Sequence, residues 1–204
     1  MDEAWLDALA QSPWLYPVLF GLVVGDAFLV VLPSETVVVA LGALWGATGS
    51  PVIGFVVIVA AVGAMVGDLA CFGIGRTIGL DRWSWQRRGR VARAIGRART
   101  TVLRRPASLI FTARYIPFAR IAVNLAAGAS GLSLGRFLPL SAAAGTAWAL
   151  YNCAVGAFFG TVLAASPVLA IVVSVGVAIA LGVFVDTIVA RVSAARHAET
   201  EPEA

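Results

Sequence analysis

Phe111-Thr112-Ala113-Arg114-Tyr115-Ile116-Pro117-Phe118-Ala119-Arg120-Ile121 sets two arginines on either side of a proline, inside a chain otherwise built for lipid. A charged side chain at mid-membrane costs about 2.5–3.5 kcal/mol on insertion scales, so two at that depth need a compensating anion. Arginine stays protonated in proteins, so burial is not relieved by loss of charge. On one straight helix, residues six apart point roughly 120° away from each other. A break at Pro117 lets both reach one cavity. Guanidinium groups grip phosphate oxygens with paired hydrogen bonds, so the pattern points to an anionic, phosphate-bearing ligand.

The surrounding composition supports membrane depth. Of 204 residues, 60% are apolar and 13% charged, and the mean hydropathy is +0.91. The fold class expected is an all-α integral membrane protein with one membrane domain. The net charge of +4 does not indicate nucleic acid as a partner. Most of the arginines crowd between Arg82 and Arg105, as in a cytoplasmic loop under the positive-inside rule. The lone histidine, His197, lies in a polar tail, so bis-histidine haem ligation within one chain is excluded. Cys71 and Cys153 fall in apolar stretches and read as packed free thiols. Neither a metal site nor a cofactor is expected.

Segment lengths give the layout. Residues 1–12 read as an amphipathic lead-in, and residues 13–192 as a single membrane domain. Pro13 to about Leu32 is long enough for one span. The apolar run after Pro33, bounded by Thr48-Gly-Ser-Pro51, is too short to cross and reads as a re-entrant hairpin over about 33–50. Val52 to about Gly79 is a full span rich in small residues. A basic amphipathic helix, about 82–105, suits the inner leaflet surface, and a plain solvated loop is the alternative. Residues 106–132 form a second re-entrant hairpin, basic at both flanks. Phe137 to Val185 carries no charge and is divided into two spans at Ser166-Pro167. Residues 193–204 read as a disordered tail. The sum is about four transmembrane helices plus two re-entrant helical hairpins entering from opposite faces. Both termini lie in the cytoplasm and the site lies near the midplane.

Arg114, Arg120 and Asn124 are the candidate substrate-binding residues. Glu35, Asp68 and Asp26 are the candidate proton-coupling acids, and Pro33 and Pro117 the structural hinges. Glu35 is expected to pair with the arginines in the empty state, to be displaced by phosphate, and then to take a proton. Plainer roles stay open: Asp68 as a hydrogen-bonding group between helices, Asp26 as an interfacial residue, Asn124 as a backbone-bonding residue.

Several motifs resemble the DedA family, also known by its VTT or SNARE-associated fold. They are Pro33-Ser34-Glu35, Gly67-Asp68 with Gly75-Arg76-Thr77-Ile78-Gly79, the double-arginine stretch, Ala127-Gly128, Phe137, Gly145-Thr146-Ala147-Trp148, and Gly156 with Gly160. The resemblance covers about residues 13–165. It implies a lipid flippase of the cytoplasmic membrane, acting on undecaprenyl phosphate or a related phospholipid and driven by proton motive force. It also implies that Glu35, Arg114 and Arg120 are the essential polar residues. One departure concerns proton coupling. Many members carry a second acid about a dozen positions after the glutamate, where this chain has Ala47-Thr48-Gly49-Ser50.

The expected partners are therefore a membrane lipid and the bilayer itself, and a homo-oligomer is compatible with the sequence. A proton-coupled exporter of small solutes or ions is the alternative function. A membrane phosphatase ranks last, because no histidine or carboxylate cluster stands ready for phosphoryl transfer. The chain is not expected to be an enzyme.

Overall fold

The computed structural model describes residues 8–29, 33–79, 89–114, 116–177 and 180. Among them there is no strand. The helices are α1 (Leu15–Asp26), α2 (Ser34–Thr48), α3 (Ile53–Ile78), α4 (Gly89–Arg104), α5 (Pro106–Ala113), α6 (Pro117–Ala129), α7 (Leu134–Val162) and α8 (Pro167–Val177).

Length separates them into two kinds. At 1.5 Å per residue, α3 is about 39 Å long and α7 about 44 Å, more than the hydrocarbon core of roughly 30 Å. The 12 residues of α1, 15 of α2, 8 of α5 and 13 of α6 each fall short of it. Among the described residues, α3 alone is both long and apolar enough to cross a membrane by length and composition. Ser141, Trp148, Tyr151 and Asn152 lower the hydropathy of α7. The described part of the last expected span is the 11 residues of α8.

The first broken element differs from the sequence expectation. Ser34–Thr48 is one continuous helix, not a hairpin in itself. Leu15–Asp26 stops well short of Leu32, so Pro13–Leu32 is not one spanning helix. The two half-length helices α1 and α2 together make the broken pair. Asp26 and Pro33 bound the break: a charge interrupts the apolar run, and the residue before a proline is disfavoured in a helix. The second broken element falls where the sequence places it, with α5 and α6 parted at Arg114–Ile116. Ile116 is extended (φ −118°, ψ 109°), as a residue before proline prefers, and Pro117 opens α6 at its first position. The basic segment forms a helix from Gly89, and its earlier residues, like the lead-in before Ala8 and the tail, lie outside the described residues.

The half-helices pack crosswise. α1 rests on α3, while α2 packs most extensively on α7 and α6 on α3. Glycines make the two close approaches. A Cβ on Gly128 of α6 would collide with Phe72 O and Arg76 N of α3, and one on Gly46 of α2 with Ala157 O and Thr161 N of α7. Leu19, Val23, Val38, Val56 and Ala149 fill one core cluster. Phe72 and Phe137, stacked at 4.3 Å, centre the other, which also takes Val102 of α4. Phe55, Ile58, Leu150 and Phe158 stand exposed on the long helices, as side chains facing lipid do.

Candidate functional site: a buried arginine–aspartate centre

Asp68 lies two-thirds along α3 and is 1% exposed. Around it the helix is built of small residues, so its neighbours come close. A Cβ on Gly67 would meet Val24 and Ala27, which brings the end of α1 beside Asp68. The Cys71 thiol donates to Ala27 O at 3.3 Å and ties the same contact.

Four donors reach the two oxygens of Asp68. Oδ1 accepts from Arg120 Nε and from Asn124 Nδ2, both at 2.8 Å. Oδ2 accepts from Arg114 Nη1 at 2.7 Å and from Ser141 Oγ at 2.8 Å. Arg120 and Asn124 sit four apart on α6 and share one face. Arg114 comes from the other half-helix, as the residue that caps α5. The break at Pro117 thus turns two arginines six apart onto one carboxylate.

Arg120 makes a second ion pair, Nη1 to Asp26 Oδ2 at 3.1 Å. Two guanidinium groups therefore face two carboxylates in a nest of side chains that are all at least four-fifths buried. Arg120 Nη2 is buried with no acceptor among the described residues.

α7 closes the centre with one stripe of its surface. Ser141 supplies the hydroxyl, and Gly145 leaves room for Arg114 Nη2, which a Cβ there would meet at 3.4 Å. Trp148 lies under the guanidinium of Arg114 at 5.7 Å from ring centroid to Cζ, within cation–π range.

The arrangement gathers Arg114, Arg120, Asn124, Asp68 and Asp26 from the residues singled out in the sequence. Glu35 is not one of the four groups bonded to Asp68. It stands exposed in the first turn of α2, and the carboxylate shared by both arginines is Asp68. The reason is geometric: Asp68 sits on the long helix against which α6 packs, whereas α2 packs on α7. Pro33 caps α2 and is exposed. The sequence reading does not single out Ser141, and it includes Trp148 only within a resemblance motif. Their 141–145–148 spacing on one helical face was the available signal.

Among the described residues, no three of His, Cys, Asp and Glu come together as metal ligands do. Chemically, the centre can bind an oxyanion through guanidinium edges and exchange it against carboxylates already present.

Two curated relatives, each named "Alkaline phosphatase-like protein", come from Lactococcus lactis subspecies cremoris and subspecies lactis. Each is 27% identical over 150 residues, covering 67% of this chain and 70% of the relative. No solved structure matches. The family model of the VTT domain matches residues 32–158, which include every side chain of the centre except Asp26. The chain therefore belongs to the VTT-domain (DedA) family of membrane proteins, whose general role is of the transporter type.

Proposed function

We propose that this protein is a lipid flippase of the cytoplasmic membrane, moving a polyprenyl phosphate or a related anionic phospholipid. Arg114 and Arg120 hold the phosphate, and the acidic residues take its place when the site is empty. The observation that carries the reading is the meeting of two buried guanidinium groups at one carboxylate, with Arg120 Nη2 still lacking an acceptor among the described residues. A fixed structural network of two arginines and two aspartates is the competing account, and the buried donor it leaves without an acceptor, Arg120 Nη2, is what favours a ligand. Proton coupling belongs to the same proposal, through protonation of a displaced carboxylate. So does the orientation, with the arginine-rich helix α4 and both termini on the cytoplasmic side.

The test is binding of a short-chain polyprenyl phosphate against its neutral alcohol, in nanodiscs. Wild type is expected to prefer the phosphate. Arg114→Ala and Arg120→Ala are each expected to weaken it about 10- to 100-fold, the worth of hydrogen bonds to a charged group. Equal affinity for phosphate and alcohol overturns the proposal.

Phosphoester hydrolysis is the second reading. The relatives' printed name favours it, as does the Ser141 hydroxyl beside Asp68. Asp68 is already engaged as the counter-ion of two guanidinium groups and as the acceptor of the Asn124 amide, which occupies it for another task than activating a hydroxyl. Phosphate release from a polyprenyl pyrophosphate, abolished by Ser141→Ala, would put hydrolysis first.

A further inference from the structure

The two carboxylates hold the arginines unequally. Asp68 accepts four hydrogen bonds of 2.7–2.8 Å, one for each lone-pair site of a carboxylate. Asp26 has a single longer contact to Arg120, at 3.1 Å, and its side chain is 20% exposed against 1% for Asp68. It is the last residue of α1, next to the break between the first two half-helices.

Arg120 consequently shows three different states at its three nitrogens. Nε is committed to Asp68, Nη1 is shared with Asp26, and Nη2 is buried without an acceptor among the described residues. Two neighbouring nitrogens of a guanidinium form the fork that takes a bidentate oxyanion. A phosphate seated on Nη1 and Nη2 supplies the acceptor that Nη2 lacks. It sets a second negative charge beside Asp26 at Nη1, which repels the more loosely held carboxylate, and it leaves the bond from Nε to Asp68 intact. Asp26 is therefore the carboxylate that yields.

Its position gives that exchange a mechanical consequence. α1 and α6 both rest on α3 rather than on each other, and the Arg120–Asp26 pair crosses between them. We propose that this ion pair is a latch released by substrate: an oxyanion displaces Asp26 from Arg120 and unties the first pair of half-helices from the second. The inference rests on the flippase reading for the anion itself and adds which acid lets go and what its release frees. Asp26 lies outside the stretch matched by the family model. The chemistry recognised is a phosphate oxyanion, carried by a lipid head group or free in solution.

The experiment uses the full-length protein in phosphatidylcholine nanodiscs, with farnesyl phosphate and inorganic phosphate as probes. Asp26→Asn keeps the shape and removes the competing charge. It is expected to bind farnesyl phosphate about fivefold more tightly than wild type, the worth of a partly exposed ion pair. In liposomes the same variant is expected to translocate it more slowly, because the latch no longer re-forms. Tighter binding with slower transport is the opposite of what structural damage produces. A gain confined to farnesyl phosphate identifies a lipid head group as the source, and an equal gain with inorganic phosphate identifies the free anion. Unchanged or weaker binding by Asp26→Asn, with wild-type binding still dependent on Arg120, overturns the latch and leaves the flippase reading standing. Wild-type binding independent of both arginines removes the two together. A second measurement needs no change at Asp26. Spin labels at the exposed positions Val18 and Phe118 are expected to move apart when farnesyl phosphate is added, and an unchanged distance overturns the latch.

Discussion

At Asp68 two guanidinium groups, an amide and a hydroxyl converge on two oxygens, so its negative charge decides whether Arg114 and Arg120 can stay buried. Removing one partner of a buried pair costs about 3–5 kcal/mol, because the other charge is left uncompensated. Removing a neutral hydrogen-bonding hydroxyl costs about 1–3 kcal/mol. Asp68→Asn is therefore expected to lower the thermal unfolding midpoint in detergent clearly more than Ser141→Ala does. Equal shifts would mean that Asp68 acts only as a hydrogen-bond acceptor. The arginines were legible in the sequence because charge at membrane depth is rare and needs a cause. Their partner was not, because Asp68 lies 46 and 52 residues before them and only packing decides which acid they meet. Glu35 drew attention through its proline, a local signal that carries no information about which helix α2 packs against.

Helix ends and helix contacts follow different rules, and the glycines show it. Gly73 and Gly75 lie two apart on α3, yet a Cβ on Gly73 meets nothing within 4 Å, while one on Gly75 would strike the Leu125 backbone of α6. Gly75→Ala is expected to destabilise the protein by about 1–3 kcal/mol through overpacking against a backbone that cannot move aside. Gly73→Ala is expected to be neutral or stabilising by up to about 1 kcal/mol, since it only removes backbone freedom from a helix interior. Thermal unfolding of the two variants in detergent checks the contrast, and shifts of the same sign and size would deny the close approach. The break at Pro117 was readable because proline constrains itself and its predecessor. The break after Asp26 was obscured by apolar residues running on to Leu32, enough for a span by length alone. The glycine-rich stretch pointed to close helix contacts without naming the partners.

Across the molecule the same packing relation occurs twice. Gly128 sits over Phe72 O and Arg76 N, as Gly46 sits over Ala157 O and Thr161 N. Three residues further along each long helix, Gly75 faces Leu125 and Gly160 faces Ala43. Matching these contacts sets Asp68 against Cys153, Arg120 against Val38, Asn124 against Gly42 and Ser141 against Val56. Cys153, Val38 and Val56 lie in the apolar core cluster, so one half keeps the polar centre and the other fills the same positions with hydrocarbon and sulfur. This substitution hides the repeat from the sequence, since the equivalent residues differ in chemistry while their packing is alike.

A paired architecture of this kind also fixes where water-facing segments must emerge. Thr48 ends α2 just before α3 begins, and Thr100 lies on α4 after α3 has ended; both are exposed. One helix about 39 Å long separates them, which exceeds the hydrocarbon thickness of roughly 30 Å. Arg93, Arg97, Arg99 and Arg104 are exposed on α4, and arginine-rich loops are retained on the cytoplasmic side. Thr48→Cys is therefore expected to react with an impermeant maleimide in intact cells, and Thr100→Cys only after permeabilisation. The native thiols Cys71 and Cys153 are buried and give little background. Labelling of both positions from the same side would mean that α3 does not cross. The centre at Asp68 would then lie outside the hydrocarbon, and two buried arginines would no longer call for a phosphate.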